Sequence, residues 1–285
     1  MKKRRLGNSD LEITPIGLGT RAICAGPGEF SLGGPEKGVK AICEGLEQGI
    51  NWIDTQELQA TGLAAGMVAE AVKNYLDHTY IFAQCDLNRD GNQIDHSLIA
   101  DRIDFKCEQI LRRLQIDRID LYQIHGPFPE GGLETACAAM AKLQNEGKVR
   151  YFGLANCNII HVERAMEIIP VTSVQIPYSL LARQAESDVL PFAQRNNIGV
   201  IACSPLYSGL LSGKMTSRRI ARLPDNDRRK HNRNFEEPLL SHNLHIVELL
   251  REIGFQHGLT ESEVAISWNL NNPAVTGSIL NARRP

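Results

Sequence analysis

Eight short apolar runs, each followed by a stretch with helical spacing, constrain this chain more than any other feature. The runs read IGLGT (16–20), INWIDT (50–55), YIFAQC (80–85), IDLYQIH (119–125), VRYFGLAN (149–156), SVQIPYS (173–179), GVIACSP (199–205) and AVTGSIL (274–280). Runs of this length and bulk predict strands buried on both faces. Between them, residues 36–48 place Val39, Ile42 and Leu46 at three- and four-residue steps, and residues 98–114 put Ile99, Ile103, Ile110 and Leu114 on one stripe. A third helix, 132–146, stops at Gly147, and a fourth, 261–271, follows the capping box of Thr260 and Glu263. Strands alternating with helices imply a parallel sheet with helices outside. Eight such units predict one (β/α)8 TIM barrel over residues 1–285, a single domain. An open doubly wound sheet is the alternative. It is disfavoured because no G-x-G-x-x-G follows an early strand.

The charge balance excludes some functions. A net charge of −2 gives no reason to expect nucleic-acid binding. No run approaches the roughly 18–20 apolar residues of a membrane span, and the basic start MKKRR has no apolar stretch behind it. Cys24, Cys43, Cys85, Cys107, Cys137, Cys157 and Cys203 are scattered without a C-x-x-C pair, so neither a disulfide framework nor a metal site is expected. Together these features predict a cytoplasmic protein acting on a small molecule.

In a closed barrel the C-terminal strand ends converge on one mouth, where active sites form. Asp54, Gln84, His125, Asn156, Gln175 and Ser204 all stand at or just past such ends. The segments LGNSDLEITPIGLGT, GINWIDT, IDLYQIHGP, EGKVRYFGLAN, PYSLL and SPLYSGLLSGK occur in an order and at a spacing that resemble the aldo-keto reductases over nearly the whole chain. That resemblance implies a barrel binding NADP(H) without a Rossmann fold and passing a hydride to a carbonyl. A tyrosine supplies the proton, a lysine paired to an aspartate lowers the tyrosine's pKa, and a histidine orients the carbonyl. The chemistry needs those groups because the developing alkoxide requires a donor and a positive field.

The match then splits. Asp54 and His125 fit the family aspartate and histidine. Gln59 stands where the tyrosine is expected, and Gln84 where the lysine is expected. A carboxamide donates hydrogen bonds but releases no proton. Without its lysine, a carboxylate in the mouth is expected to have a raised pKa. Further departures cluster on the substrate side. Ala64 and Ala65 replace a Ser-Glu pair, Gly126 replaces an aromatic, and Arg21 replaces a tryptophan. Arg21, Glu57 and Gly126 are therefore candidate substrate residues, with Arg21 read either as a surface charge or as an anion clamp.

The resemblance retains more of the cofactor side. Asn156 and Gln175 match positions holding the nicotinamide carboxamide, and Tyr178 matches an aromatic stacking on its ring. Ser204, Leu206, Ser208 and Lys214 match the pyrophosphate loop, and Arg283 matches the adenosine-phosphate segment. Family members continue past this point with a helix bearing adenine contacts. The fold is accordingly expected without its last outer helix, with weakened cofactor binding and a second copy of the chain covering the last strand. Each residue also has a plain structural reading. Asp54 can cap its loop, His125 can be a satisfied core histidine, and the basic run 228–233 with Arg218, Arg219 and Arg222 can be a solvated face. Three functions follow. The first is an NADP(H)-binding enzyme acting on a small carbonyl or hydroxyl compound by altered proton transfer. The second is a non-redox dehydratase, lyase, cyclase or isomerase using Asp54 and His125. The third is a cofactor-binding pseudoenzyme or assembly partner.

Overall fold

Side chains alternate between the two faces of a strand, and in this chain one set points into a ring while the other packs beneath helices. The computed structural model describes residues 1–20, 35–56, 63–87, 98–128 and 131–281. A short hairpin of β1 (Arg4–Arg5) and β2 (Glu12–Ile13) precedes the barrel strands. These are β3 (Ile16–Gly19), β4 (Trp52–Gln56), β5 (Tyr80–Asp86), β6 (Ile119–His125), β7 (Val149–Ala155), β8 (Ser173–Pro177), β9 (Gly199–Cys203) and β10 (Val275–Leu280). All eight are parallel, and β10 returns to β3 to close the ring. The expected barrel is therefore what forms.

The outer layer contains α1 (Pro35–Glu47), α2 (Leu63–Val72), α3 (Ile99–Leu114), α4 (Gly132–Asn145), α5 (Ile159–Met166) and α6 (Val189–Arg195). Past β9 come α7 (Ser217–Ala221), α8 (Leu239–His257) and α9 (Glu261–Asn271). The capping box before α9 is present, with Thr260 accepting from the Glu263 amide and Glu263 accepting from the Thr260 amide. Among the described residues no helix is long and apolar enough to cross a membrane.

Packing explains which end of the ring is closed. The inward positions nearest the strand starts are apolar: Trp52, Phe82, Leu121, Ile201 and Ile279 form one cluster with Leu6, Leu11 and Ile13 of the hairpin segment. The hairpin is a plug across the floor. Trp52 lies over Gly17, where a Cβ would come within 2.2 Å of its ring, and its indole N–H donates to the Thr14 carbonyl at 2.8 Å. Outward positions such as Ile53, Ile81, Tyr122, Phe152 and Val174 are buried in the two clusters between the sheet and its helices. With floor and flanks packed, the mouth is the end left for chemistry.

Candidate active site

Alternation along four strands fills the mouth. On β4 it brings Asp54 inward two residues after Trp52; on β5 it brings Gln84 and then Asp86 inward after Phe82; on β6 it brings Gln123 and then His125 inward after Leu121. Gln175 enters from β8. Register sets Gln84 beside Gln123 and Asp86 beside His125. Between Gln123 and β8 stands Gly153. A Cβ there would lie 3.1 Å from the Gln123 side chain and 2.5 Å from Ser173 Oγ, so the glycine lets the amide reach across.

The result is one buried carboxylate wired to carboxamides. Gln84 Nε2 donates to both Asp54 oxygens at 3.1 and 3.0 Å and to Gln175 Oε1 at 2.8 Å. Gln123 Nε2 donates to Asp54 Oδ1 at 3.3 Å and to Gln175 Oε1 at 3.0 Å. Asp54 is 3 % exposed and Gln123 fully buried, and Gln123 Oε1 has no hydrogen-bond partner among the described residues. Among the described residues no ammonium or guanidinium stands in this array. Burial therefore pushes the Asp54 carboxyl up to about 7, against the pull of the Gln84, Gln175 and Gln123 amides. Ionised, Asp54 only accepts. Once protonated it must also donate, so an amide has to turn and offer its oxygen.

The layer above meets solvent. His125 is half-buried, and its Nδ1 is enclosed without a hydrogen-bond partner among the described residues. Asp86 and Cys203 are half-buried at the same level. Asp86 and Gln123 are the site residues that the sequence reading missed. Each lies two positions from a residue it had chosen, Gln84 and His125, and the two-residue period alone would have found both. Cys157, next to Asn156 after β7, has its thiol pushed up to about 12 by burial, which disfavours the thiolate that a nucleophile needs. Among the described residues no group of His, Cys, Asp and Glu is arranged to hold a metal ion.

The residues proposed for the cofactor separate into two groups. Asn156 sits at the end of β7 with φ at +52°, fixed by its N–H to the Gln175 carbonyl at 3.0 Å and by Nδ2 to the Gly126 carbonyl at 3.1 Å. Its side chain is exposed, and its amide oxygen is unpartnered among the described residues. Ser204, Tyr207 and Ser208 also have positive φ, so the loop after β9 curls tightly and leaves Ser204, Ser208 and Lys214 exposed. Such a turn beside an exposed lysine suits a diphosphate.

Tyr178 and Leu206 do not join this group. β8 ends at Pro177, so Tyr178 falls on the outward side. Its ring packs on Trp268 at 5.3 Å, its hydroxyl donates to Glu186 and accepts from Asn272, and it is 1 % exposed. That burial corrects the expected stacking role, since no ring face is left for a ligand. The Leu206 side chain packs with Leu211, Val247 and Leu250, leaving only its backbone to the loop. Gly126 is no opening for substrate either: a Cβ there would meet the Asn156 carbonyl at 2.6 Å and the Phe128 ring at 3.0 Å. Arg21, Glu57, Gln59 and Arg283 lie outside the described residues, as do the side chains of Ala64 and Ala65. In the basic run, Arg229 pairs with Asp227 and Lys230 with Asp225. Arg218, Arg219 and Arg222 line an open groove of about 520 Å³.

Comparison with known proteins agrees with this architecture. Residues 15–285 match the model of the aldo/keto reductase family. An aldo-keto reductase of Bacillus subtilis (strain 168), YhdN, is 31 % identical over 290 residues, spanning all of this chain and 86 % of its own. The structure of the glycerol dehydrogenase AKR11B4 from Gluconobacter oxydans superposes with a TM-score of 0.88 at 28 % identity, covering the whole chain and 87 % of that protein. The holo form of the aldo-keto reductase AKR11C1 from Bacillus halodurans gives a TM-score of 0.78 at 26 % identity, with coverage of 100 % and 87 %. With the barrel closed, the mouth built on Asp54 and His125, and the family match running from Pro15 to the last residue, the chain belongs to the aldo-keto reductase family.

Proposed function

We propose that this chain is an NADP(H)-binding oxidoreductase of its family that acts on a small carbonyl or hydroxyl compound without the tyrosine–lysine route to the proton. It should accordingly turn over simple aldehydes only weakly. One observation carries the reading: the Asp54 carboxylate, which the family resemblance pairs with a lysine, is held here by Gln84 and Gln123, with no cation beside it among the described residues. When bound, the nicotinamide supplies or takes up a hydride at the mouth. Asn156 and Gln175 would hold its carboxamide, and Ser204, Ser208 and Lys214 its phosphates. The exposed Asn156 amide and the tight loop after β9 fit that task.

Within the chain, the amide array fixes Asp54 and keeps water from it. His125, half-buried one layer higher, would orient a substrate oxygen and exchange a proton with solvent; its position at the end of β6, partly open to solvent, supports that role. The glycerol dehydrogenase activity of the Gluconobacter relative supports a small hydroxyl compound as one substrate class. A non-redox reaction is the second reading, favoured by a carboxyl near neutrality beside a histidine-bearing layer.

Titration of the purified protein with NADPH, followed by nicotinamide fluorescence, separates these readings. The redox reading expects saturable binding, and no binding removes it. Restoring both lost groups with Gln59→Tyr and Gln84→Lys should raise kcat/KM for a simple aldehyde at least a hundredfold, the scale of positioned acid catalysis. Efficient wild-type turnover of a broad aldehyde panel would sink the proposal.

A further inference from the structure

We propose that Glu261 is a positioning residue for the cofactor: pressed against Gly213 and fixed there by Arg251, it holds the arch of chain that presents Lys214 to the diphosphate. The inference rests on the redox reading above, in which Lys214 meets the cofactor's phosphates, and adds to it the residues that set the lysine's place.

The arch follows from burial. Leu211 is fully buried and Met215 nearly so, and the three residues between them must leave the core and return to it. Leu211 packs with Val247 and Leu250 of α8 and Ala265 of α9, beside Leu206 and Tyr207. Met215 packs in a neighbouring cluster with Ile220, Phe235 and Leu240. The two feet of the arch thus stand in different parts of the core. Gly213 turns the chain between them at φ +71°, a left-handed conformation that glycine adopts freely, and Lys214 is left exposed.

Glu261, the first residue of α9, meets the arch at this turn. A Cβ on Gly213 would lie 2.4 Å from its Cδ and 2.6 and 2.7 Å from its two oxygens, so the carboxylate occupies the space of the missing side chain. Arg251 Nε donates to Glu261 Oε1 at 2.8 Å, and its guanidinium also pairs with Glu248. The Glu261 carboxyl is held below its usual range, first by its own backbone N–H and then by Arg251, so it is ionised at neutral pH. An unpaired carboxylate one residue from Lys214 would oppose a diphosphate. Arg251 compensates that charge and keeps the side chain from swinging away. On the other flank, Arg219 Nη1 donates to the Lys214 carbonyl at 3.0 Å. The backbone at Lys214 is therefore set before any ligand arrives, and a group already in place loses less freedom on binding.

The test is a double-mutant cycle on the full chain, read by NADPH fluorescence, with hydrogen exchange of the loop amides as a readout that needs no cofactor. Glu261→Ala should speed exchange across residues 206–215 and weaken NADPH binding about fivefold. Glu261→Gln still fills the space and accepts from Arg251, so it should stay within about twofold of wild type in NADPH affinity. Lys214→Met should weaken NADPH about tenfold, the scale of one charge-assisted bond. Adding Glu261→Ala to Lys214→Met should weaken it no further, because the glutamate acts through the lysine. Unchanged exchange in Glu261→Ala would overturn the inference. So would equal weakening by Glu261→Ala with and without Lys214, which is what a general loss of packing gives. If the wild type binds no NADPH, the redox reading falls, and the exchange result still decides whether Glu261 holds the arch.

Discussion

The two ends of this barrel are closed by different physics. At the floor Trp52, Phe82, Leu121, Ile201 and Ile279 interlock with Leu6, Leu11 and Ile13 of the plug. Glycines at 17 and 277 make room for the indole. One layer toward the mouth, the same strands contribute Asp54, Gln84 and Gln123, joined by Gln175 from β8, and the seal is a hydrogen-bond array around a charge. Apolar packing is tolerant of pH and demanding of shape. An amide array around one carboxylate is demanding of protonation. The floor should therefore carry the stability of the barrel and the mouth its response to conditions.

The largest effect should come from breaking the floor. Trp52→Ala removes a fully buried indole and its bond to the Thr14 carbonyl, over glycines that cannot fill the space. Destabilisation of about 3–5 kcal/mol is expected, read as a lowered midpoint in urea. Because the change lies a layer below the mouth, NADPH affinity measured well below the midpoint should stay within about twofold. Loss of binding while the fold persists would show that the two ends are mechanically coupled.

The next effect belongs to the mouth and depends on pH. The native state holds the Asp54 proton up to about pH 7, whereas an unfolded aspartate releases it near its model value of 3.8. Between these values the native chain binds more protons than the unfolded one, so stability falls as pH rises through that window and levels off above about 7. The full span is about 4 kcal/mol at its upper end. Asp54→Asn changes the local hydrogen bonds at every pH but removes the titration. The stability difference between wild type and variant, measured by urea unfolding from pH 4 to pH 8, should therefore slope through the window and flatten above it. A difference independent of pH would mean that the amides hold Asp54 ionised throughout.

Much of the contrast is legible in the sequence, and the departures from it are local. IDLYQIH forms a strand over the residues predicted, and the Thr260–Glu263 box starts α9 where expected, because both signals are short-range. Reading SVQIPYS as strand through residue 179 puts Tyr178 in the mouth. In the molecule the sheet stops at Pro177 and the ring turns outward to Trp268. The plug was invisible because strands of two residues have no period, and their burial comes from the barrel they cover. Gln123 and Asp86 stand in plain strand sequence, with no motif to mark them. Only a consistent assignment of facing, carried from Gln84 and His125, exposes them.

The smallest predicted effect locates the border between the two ends. Ser173 opens β8 on the inward side, fully buried, and its hydroxyl has no hydrogen-bond partner among the described residues. It lies directly under Gly153, between the apolar floor and the amide layer. A buried hydroxyl without a partner loses its hydration on folding and regains nothing, so Ser173→Ala should leave stability unchanged or raise it by up to ~1 kcal/mol. The swap removes one oxygen and adds no bulk beneath Gly153, so shape is held while polarity changes. If the floor's rules extend up to Ser173, thermal unfolding will show this small gain, and the pH window assigned to Asp54 will not move. A loss of ~1 kcal/mol would instead mean that the hydroxyl is engaged in the native protein. The polar seal would then begin a layer lower than Gln175, and the division between a packed floor and a hydrogen-bonded mouth would have to be redrawn at β8.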